Sequence, residues 1–184
     1  MPNLASNLFS ISGPPSDIEN FMQANCEMSR DGEIFVRFDR ALPLPSKIPK
    51  ADRSAWQSEN WGTSWWNDFE VLEKSAGRLA LRFISAWSPP YGIYRLYAER
   101  YRTLRIDAAC VETGNEFAWR FTATDGKCEE TEPELTNEFY REVTGEDREE
   151  EEEEEVGLPT AQADPKLPPS FMSRALALLA RIFK

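Results

Sequence analysis

The chemically capable residues of this 184-residue chain are three cysteines, at 26, 110 and 128, and 32 acidic side chains; there is no histidine. Without imidazole, Ser-His-Asp and Cys-His nucleophile systems, His-ligated zinc and an acid–base switch near neutrality have no residue to work with. The cysteines make no Cys-x-x-Cys pair and no even framework, which disfavours a thiolate zinc site and a disulfide-stapled fold and points to a reducing, cytoplasmic setting. Carboxylate catalysis needs two acids converging on one cleft. Asp17, Glu19, Asp39, Glu59, Asp68, Glu70, Glu99 and Asp107 instead fall on scattered polar positions. The sequence shows no Gly-rich phosphate loop, Asp-x-Asp ladder or nucleophile elbow. Cys110 lies on an apolar face, where a buried thiol is inert. The expectation is a protein that is not an enzyme and uses no metal and no cofactor.

Residues suited to recognition are more prominent. In Asn60-Trp-Gly-Thr-Ser-Trp65 the indoles of Trp61 and Trp65 suit stacking, with Asn60 and Thr63 placed to orient a ligand by hydrogen bonds. The competing reading, which is favoured, has Trp61 and Trp65 plugging the open side of a small sheet while Gly62 makes the turn. Ser85-Ala-Trp-Ser-Pro-Pro90 reads as structure: Trp87 continues the inward face of Leu79, Leu81, Phe83 and Ser85, and Pro89-Pro90 ends the strand and starts a helix.

These segments sit in an alternation of strands and helices. Phe9–Pro15 is a strand ending in Pro-Pro, followed by helical spacing of Ile18, Phe21 and Met22. Phe83–Pro90 repeats the device, followed by Ile93, Leu96, Tyr97 and Tyr101. Each unit leads to another strand, Glu33–Arg40 and Leu104–Glu112. Two tandem βαβ units predict an α+β fold, a ferredoxin-like split βαβ sandwich with an antiparallel sheet and two helices on one face. An irregular Trp/Pro-rich insertion, Ala41–Trp66, separates them. Gly114-Asn115 and Ala76-Gly77 mark hairpins joining 104–112 to 116–123 and 69–74 to 78–87.

Charge divides the chain. Of the net −11, residues 1–128 hold −1, residues 129–164 hold −14 and residues 165–184 hold +4. The expected organisation is a domain over 1–128, an acidic, Pro-containing linker over 129–169 and an amphipathic helix over 170–184. The run Glu149, Glu150, Glu151, Glu152, Glu153, Glu154 and Glu155 repels itself and has nothing to bury. Within the linker, Leu135–Val143 has the pattern of a short helix capped by Thr136. In the last segment Ser170, Ser173, Arg174, Arg181 and Lys184 share one arc of a helix, opposite Phe171, Met172, Leu176, Leu178, Leu179, Ile182 and Phe183. At about 22 Å it is too short to cross a bilayer. It is suited to cover its own sheet, to fill a partner's groove, or to lie on an anionic membrane surface. The first residues lack the basic and apolar regions of a secretory signal.

Asn60-Trp-Gly-Thr-Ser-Trp65, Ser85-Ala-Trp-Ser-Pro-Pro90, the opening Met1-Pro-Asn3 with Ser6-Asn7, and the Pro43-Leu-Pro45 step resemble the YubB-type ferredoxin-like family of conjugative plasmids and bacteriophages. The resemblance covers about residues 1–125; Leu4-Ala5 stands where that family has Trp-Cys, and the acidic tail lies outside the family core. It implies a ferredoxin-like fold and a mobile-element origin and supplies no activity. With the missing chemistry, it leads to the expectation of a protein-binding accessory factor of a mobile genetic element that inhibits a host defence or regulatory complex. The partner contacts are then the terminal helix and the glutamate tract, the latter as a DNA mimic. Two alternatives stand beside it. One is an RRM-like nucleic-acid module autoinhibited by its tail, using a stripe of Arg37, Arg78, Arg82, Arg105 and Arg120; the absence of RRM-type aromatic strands and the competing tail disfavour nucleic acid. The other is an adaptor tethered to a membrane surface by the terminal helix, a surface the glutamates disfavour.

Overall fold

The computed structural model describes residues 3–30 and 32–148. The Glu149–Glu155 tract and the expected helix at 170–184 lie outside the described residues. The elements are β1 (Leu4–Ser12), α1 (Pro15–Asn25), β2 (Cys26–Met28), β3 (Ile34–Val36), α2 (Phe38–Ala41), α3 (Arg53–Trp61), β4 (Trp66–Ser75), β5 (Arg78–Ala86), α4 (Tyr91–Arg100), β6 (Arg105–Glu112), β7 (Phe117–Thr124), β8 (Lys127–Thr131) and α5 (Asn137–Thr144). One six-stranded sheet runs β4-β5-β1-β6-β7-β8 with every neighbouring pair antiparallel; β2 and β3 form a separate ribbon.

The α+β class holds, but the two-helix ferredoxin-like sandwich does not. The second βαβ unit forms: β5 and β6 are both antiparallel to β1, so they run parallel to each other on either side of it, joined through α4. The first unit breaks. After α1 the chain enters β2, which among the described residues pairs only with β3, through Cys26↔Val36, Glu27↔Phe35 and Met28↔Ile34. The alternation of Ile34, Val36 and Phe38 looked like a longer strand, yet Phe38 opens α2. Beside β5 the sheet position goes to β4, joined to it by the Ala76-Gly77 turn. Such a local hairpin closes a short loop and outcompetes pairing with a distant strand. The segment 41–66, expected to be irregular, contains α3.

The main core lies on the face that carries α1 and α4. Phe9 stacks on Tyr94 at 5.2 Å between centroids, and Tyr94 on Trp119 at 6.0 Å. Phe21 meets Tyr97 edge-on at 4.9 Å. Offset and edge-on pairs of this kind add to the burial of the rings. The other face is covered by α5, whose Phe139 and Val143 pack with Ala109, Val111 and Ala118 and the half-buried Leu8. Thr136 caps this helix by accepting from the Phe139 N–H at 3.2 Å.

The edge of the fold therefore lies beyond residue 128, where the linker was expected to begin. β8 pairs with β7 from Lys127 to Thr131, and α5 follows. Composition misplaced this boundary because an exposed, charged edge strand has the make-up of a linker; those charges also protect the edge from further pairing. The acids there are used: Glu130 binds Arg95 and Glu142 binds Arg120.

Candidate functional site

The two tryptophan-bearing segments noted in the sequence meet at one end of the sheet and are built from each other. Trp65 accepts the Ala86 N–H through its backbone oxygen at 3.0 Å, and Trp87 donates its N–H to the Asn3 carbonyl at 2.9 Å. Thr63, buried, holds this junction. Its hydroxyl lies 2.9 and 3.0 Å from the carbonyl oxygens of Trp65 and Ala86 and accepts the Ala86 N–H at 3.1 Å. Asn7 Nδ2 donates to Ser85 Oγ at 2.8 Å, and that hydroxyl donates to the Ser88 carbonyl at 2.8 Å. Ser88 Oγ in turn donates to the Gly62 carbonyl at 2.6 Å. The C-terminus of α3 thus abuts the N-terminus of α4, and only glycine fits there. A Cβ on Gly92 would lie 2.0 Å from the Asn60 carbonyl oxygen. One on Gly62, at φ +98°, would lie 2.6 Å from the Pro89 oxygen.

This scaffold presents two indoles to solvent. Trp87 has φ +68° and is 53% exposed; Trp65 is 41% exposed. Leu4, paired with Ala86 in the next strand, is also exposed. A bulky residue in the left-handed region costs roughly 1–3 kcal/mol and persists only where its surroundings dictate it, as this network does.

Trp87 borders an open cleft of about 680 Å³ whose walls include Tyr91, Trp119 and Arg95, with Glu59, Glu130 and Glu132 at its rim. Arg95 grips Glu130 with two hydrogen bonds, at 2.6 and 2.9 Å. Tyr91 meets Trp119 edge-on at 4.9 Å. Burial first, with Cys110 and the carboxylates of Glu132 and Glu130 nearby, pushes the Tyr91 phenol up to about 12, so it is a neutral hydrogen-bonding group at physiological pH.

The residues expected in a recognition loop separate. Trp61 is 1% exposed, with Nε1 donating to the Leu42 carbonyl at 2.9 Å, and it plugs the core as the structural reading had it. Asn60 donates back to the Trp56 carbonyl at 2.8 Å, and Thr63 is a buried brace. Trp65 faces solvent, contrary to its expected place as a plug. Trp87 corrects the sequence reading more sharply: assigned to the core by strand alternation, it lies one residue past the end of β5, where the positive φ breaks that alternation. The signal that bears on it is the following Ser-Pro-Pro, which forces a turn.

The arginines of the nucleic-acid alternative are paired with acids. Arg37 holds Asp39 at 2.8 Å and also binds Glu27; Arg78 pairs with Glu73 at 3.3 Å and Arg82 with Glu70 at 2.8 Å; Arg105 grips Asp107 at 2.7 and 2.8 Å. Arg120 binds Glu142 at 2.6 Å and lies 5.0 Å from the Phe139 ring centroid. Moreover, α5 occupies the sheet face that an RRM uses for RNA.

Among the described residues, no group of three or more His, Cys, Asp or Glu side chains is placed to hold a metal ion. A second groove, of about 660 Å³, runs between α1 and the β2–β3 ribbon and is lined by Ile18, Met22, Met28 and Ile34. Cys26 also borders it; burial pushes its thiol up to about 12, which keeps it protonated and unreactive.

No family model matches the chain, and no curated protein does. A solved structure, the crystal structure of the protein api92 from Yersinia pseudotuberculosis, of the family model DUF1281, is similar in fold. The TM-score is 0.50 at 9% identity, over 72% of this chain and 98% of that one. At that identity the likeness speaks for the fold alone.

Proposed function

We propose that the chain is a non-enzymatic, protein-binding accessory factor of a mobile genetic element, which docks a host protein through the tryptophan end of its sheet and so inhibits a host defence or regulatory complex. The observation that carries the docking reading is Trp87, held solvent-exposed at φ +68° by a buried hydrogen-bond network. An unfavourable backbone angle kept by this much bracing is typical of a site under functional demand. Exposed tryptophans on a rigid frame are also the usual anchors of protein interfaces. The mobile-element setting and the inhibitory role rest on the motif resemblance. A reducing cytoplasm agrees with three unpaired cysteines, Cys26, Cys110 and Cys128. Among the described residues, no helix is long and apolar enough to cross a membrane. In this reading the segment 170–184 is a second, tethered contact to the same partner, raised in effective concentration by the residues before it.

The test is affinity capture from a bacterial host with the tagged full chain and its Trp87→Asn variant, followed by rebinding of the purified captured protein. Asn tolerates a positive φ, so the variant keeps the frame. The expected result is one protein retained by the parent chain and lost, by about a hundredfold in affinity, in Trp87→Asn, a loss typical of an interface anchor. Equal binding by both chains overturns the proposal.

A further inference from the structure

The cleft beside Trp87 has the size and lining to select a particular ligand chemistry. The volume of about 680 Å³ falls within the roughly 300–1,000 Å³ of ligand sites. The aromatic walls are Trp87, Tyr91 and Trp119. Three carboxylates, Glu59, Glu130 and Glu132, face a single guanidinium, that of Arg95. Arg95 is satisfied by Glu130 in a two-bonded pair, and Glu59 and Glu132 have no ion pair among the described residues. Among the cleft's lining residues, acids therefore outnumber cations, beside the exposed Trp87, the half-buried Tyr91 and the buried Trp119. Anionic and purely apolar ligands are poorly matched to that combination. A cation that both stacks and donates hydrogen bonds to carboxylates is well matched.

Resting on the docking reading, we infer that the cleft takes the guanidinium of an arginine presented by a basic segment of the partner protein, stacked on Trp87 and paired with Glu132 and Glu59. A planar guanidinium stacks on an aromatic face and bonds carboxylates in its own plane, whereas an ammonium is more strongly hydrated and cannot stack. The fold already satisfies one of its own arginines this way: Arg120 lies 5.0 Å from the Phe139 ring centroid and binds Glu142 at 2.6 Å.

The experiment titrates the ¹⁵N-labelled full chain with acetyl-Gly-Arg-Gly-amide and, separately, with the citrulline tripeptide, which has the same shape without the charge. The arginine peptide is expected to shift the Trp87 indole N–H and the Gly92 amide saturably, at millimolar concentration. The citrulline peptide leaves both unmoved, and the response weakens by about tenfold in the Glu59→Gln/Glu132→Gln variant, the loss of a charge-assisted pair. Equal shifts from both peptides, no shift from either, or an undiminished response in that variant overturns the inference. Failure of the docking reading is distinguishable. If capture of the host protein depends on Trp87 but not on Glu59 and Glu132, the surface stands and the arginine assignment falls. If capture survives Trp87→Asn, the surface itself falls.

Discussion

Trp61 and Trp87 belong to neighbouring segments of one site and have opposite fates. The first is sealed in the core with its indole N–H satisfied; the second is half in water on a left-handed backbone. Their substitutions should separate accordingly. Trp61→Ala is expected to cost about 3–5 kcal/mol in denaturant unfolding, from lost burial and the remaining cavity. Trp87→Asn should change stability by no more than about 1 kcal/mol, because relief of the positive φ offsets the area lost. Equal losses would mean that Trp87 is a packing residue after all. Asp39 gives a second check. Its hydrogen bonds from Arg37 hold the carboxyl below the ordinary carboxylate range, so the folded state favours its ionised form. That contribution is fully present above the unfolded value of about 4 and is lost as pH falls through the folded one. The stability difference between the parent chain and Asp39→Asn should therefore be constant near neutrality and shrink below about pH 4 in acid unfolding. At this scale the sequence made Trp61 readable, since a large aromatic before a glycine turn has the core as its natural place. Trp87 was not readable, because alternation assigns sides only while the strand lasts.

The contact between α3 and α4 fixes the site, and it depends on backbone approach more than on side-chain chemistry. Gly92→Ala puts a methyl against the Asn60 carbonyl, which must move to admit it. A loss of about 1–3 kcal/mol is expected. It should come with displacement of the Trp87 indole resonance; an unshifted spectrum would show that the helix junction does not position the ring. The hairpins and the β5-α4-β6 unit were legible because turn residues and period-two faces are local signals. The duplication was misleading for a physical reason: Ile34, Val36 and Phe38 define an apolar face, but nothing local tells the chain which edge it will find. The site was half legible. Its two motifs could be named, but their mutual bracing through Thr63, Ser85 and Ser88 joins residues that only the folded chain brings together.

Over the whole molecule the charge layout is less divided than composition suggests. Residues 1–148 hold 17 Lys+Arg and 24 Asp+Glu, so the folded part carries −7 of the net −11. Several of its acids pair with arginines of the stripe weighed for nucleic acid, as Asp39 with Arg37, Glu70 with Arg82 and Glu142 with Arg120. A chain ending at residue 128 loses most of β8 and all of α5, exposing Leu8, Val111 and Ala118. It should be about 3–6 kcal/mol less stable in urea than a chain ending at 148, the burial of Phe139 and Val143 accounting for the difference. Equal stability would return the domain edge to residue 128. Docking through the tryptophan end of the sheet is tested most directly by amide hydrogen exchange on the full chain with and without the captured host protein. Protection is expected over residues 62–66 and 86–92; protection confined to α1 and the β2–β3 ribbon, with the tryptophan end unchanged, would contradict it.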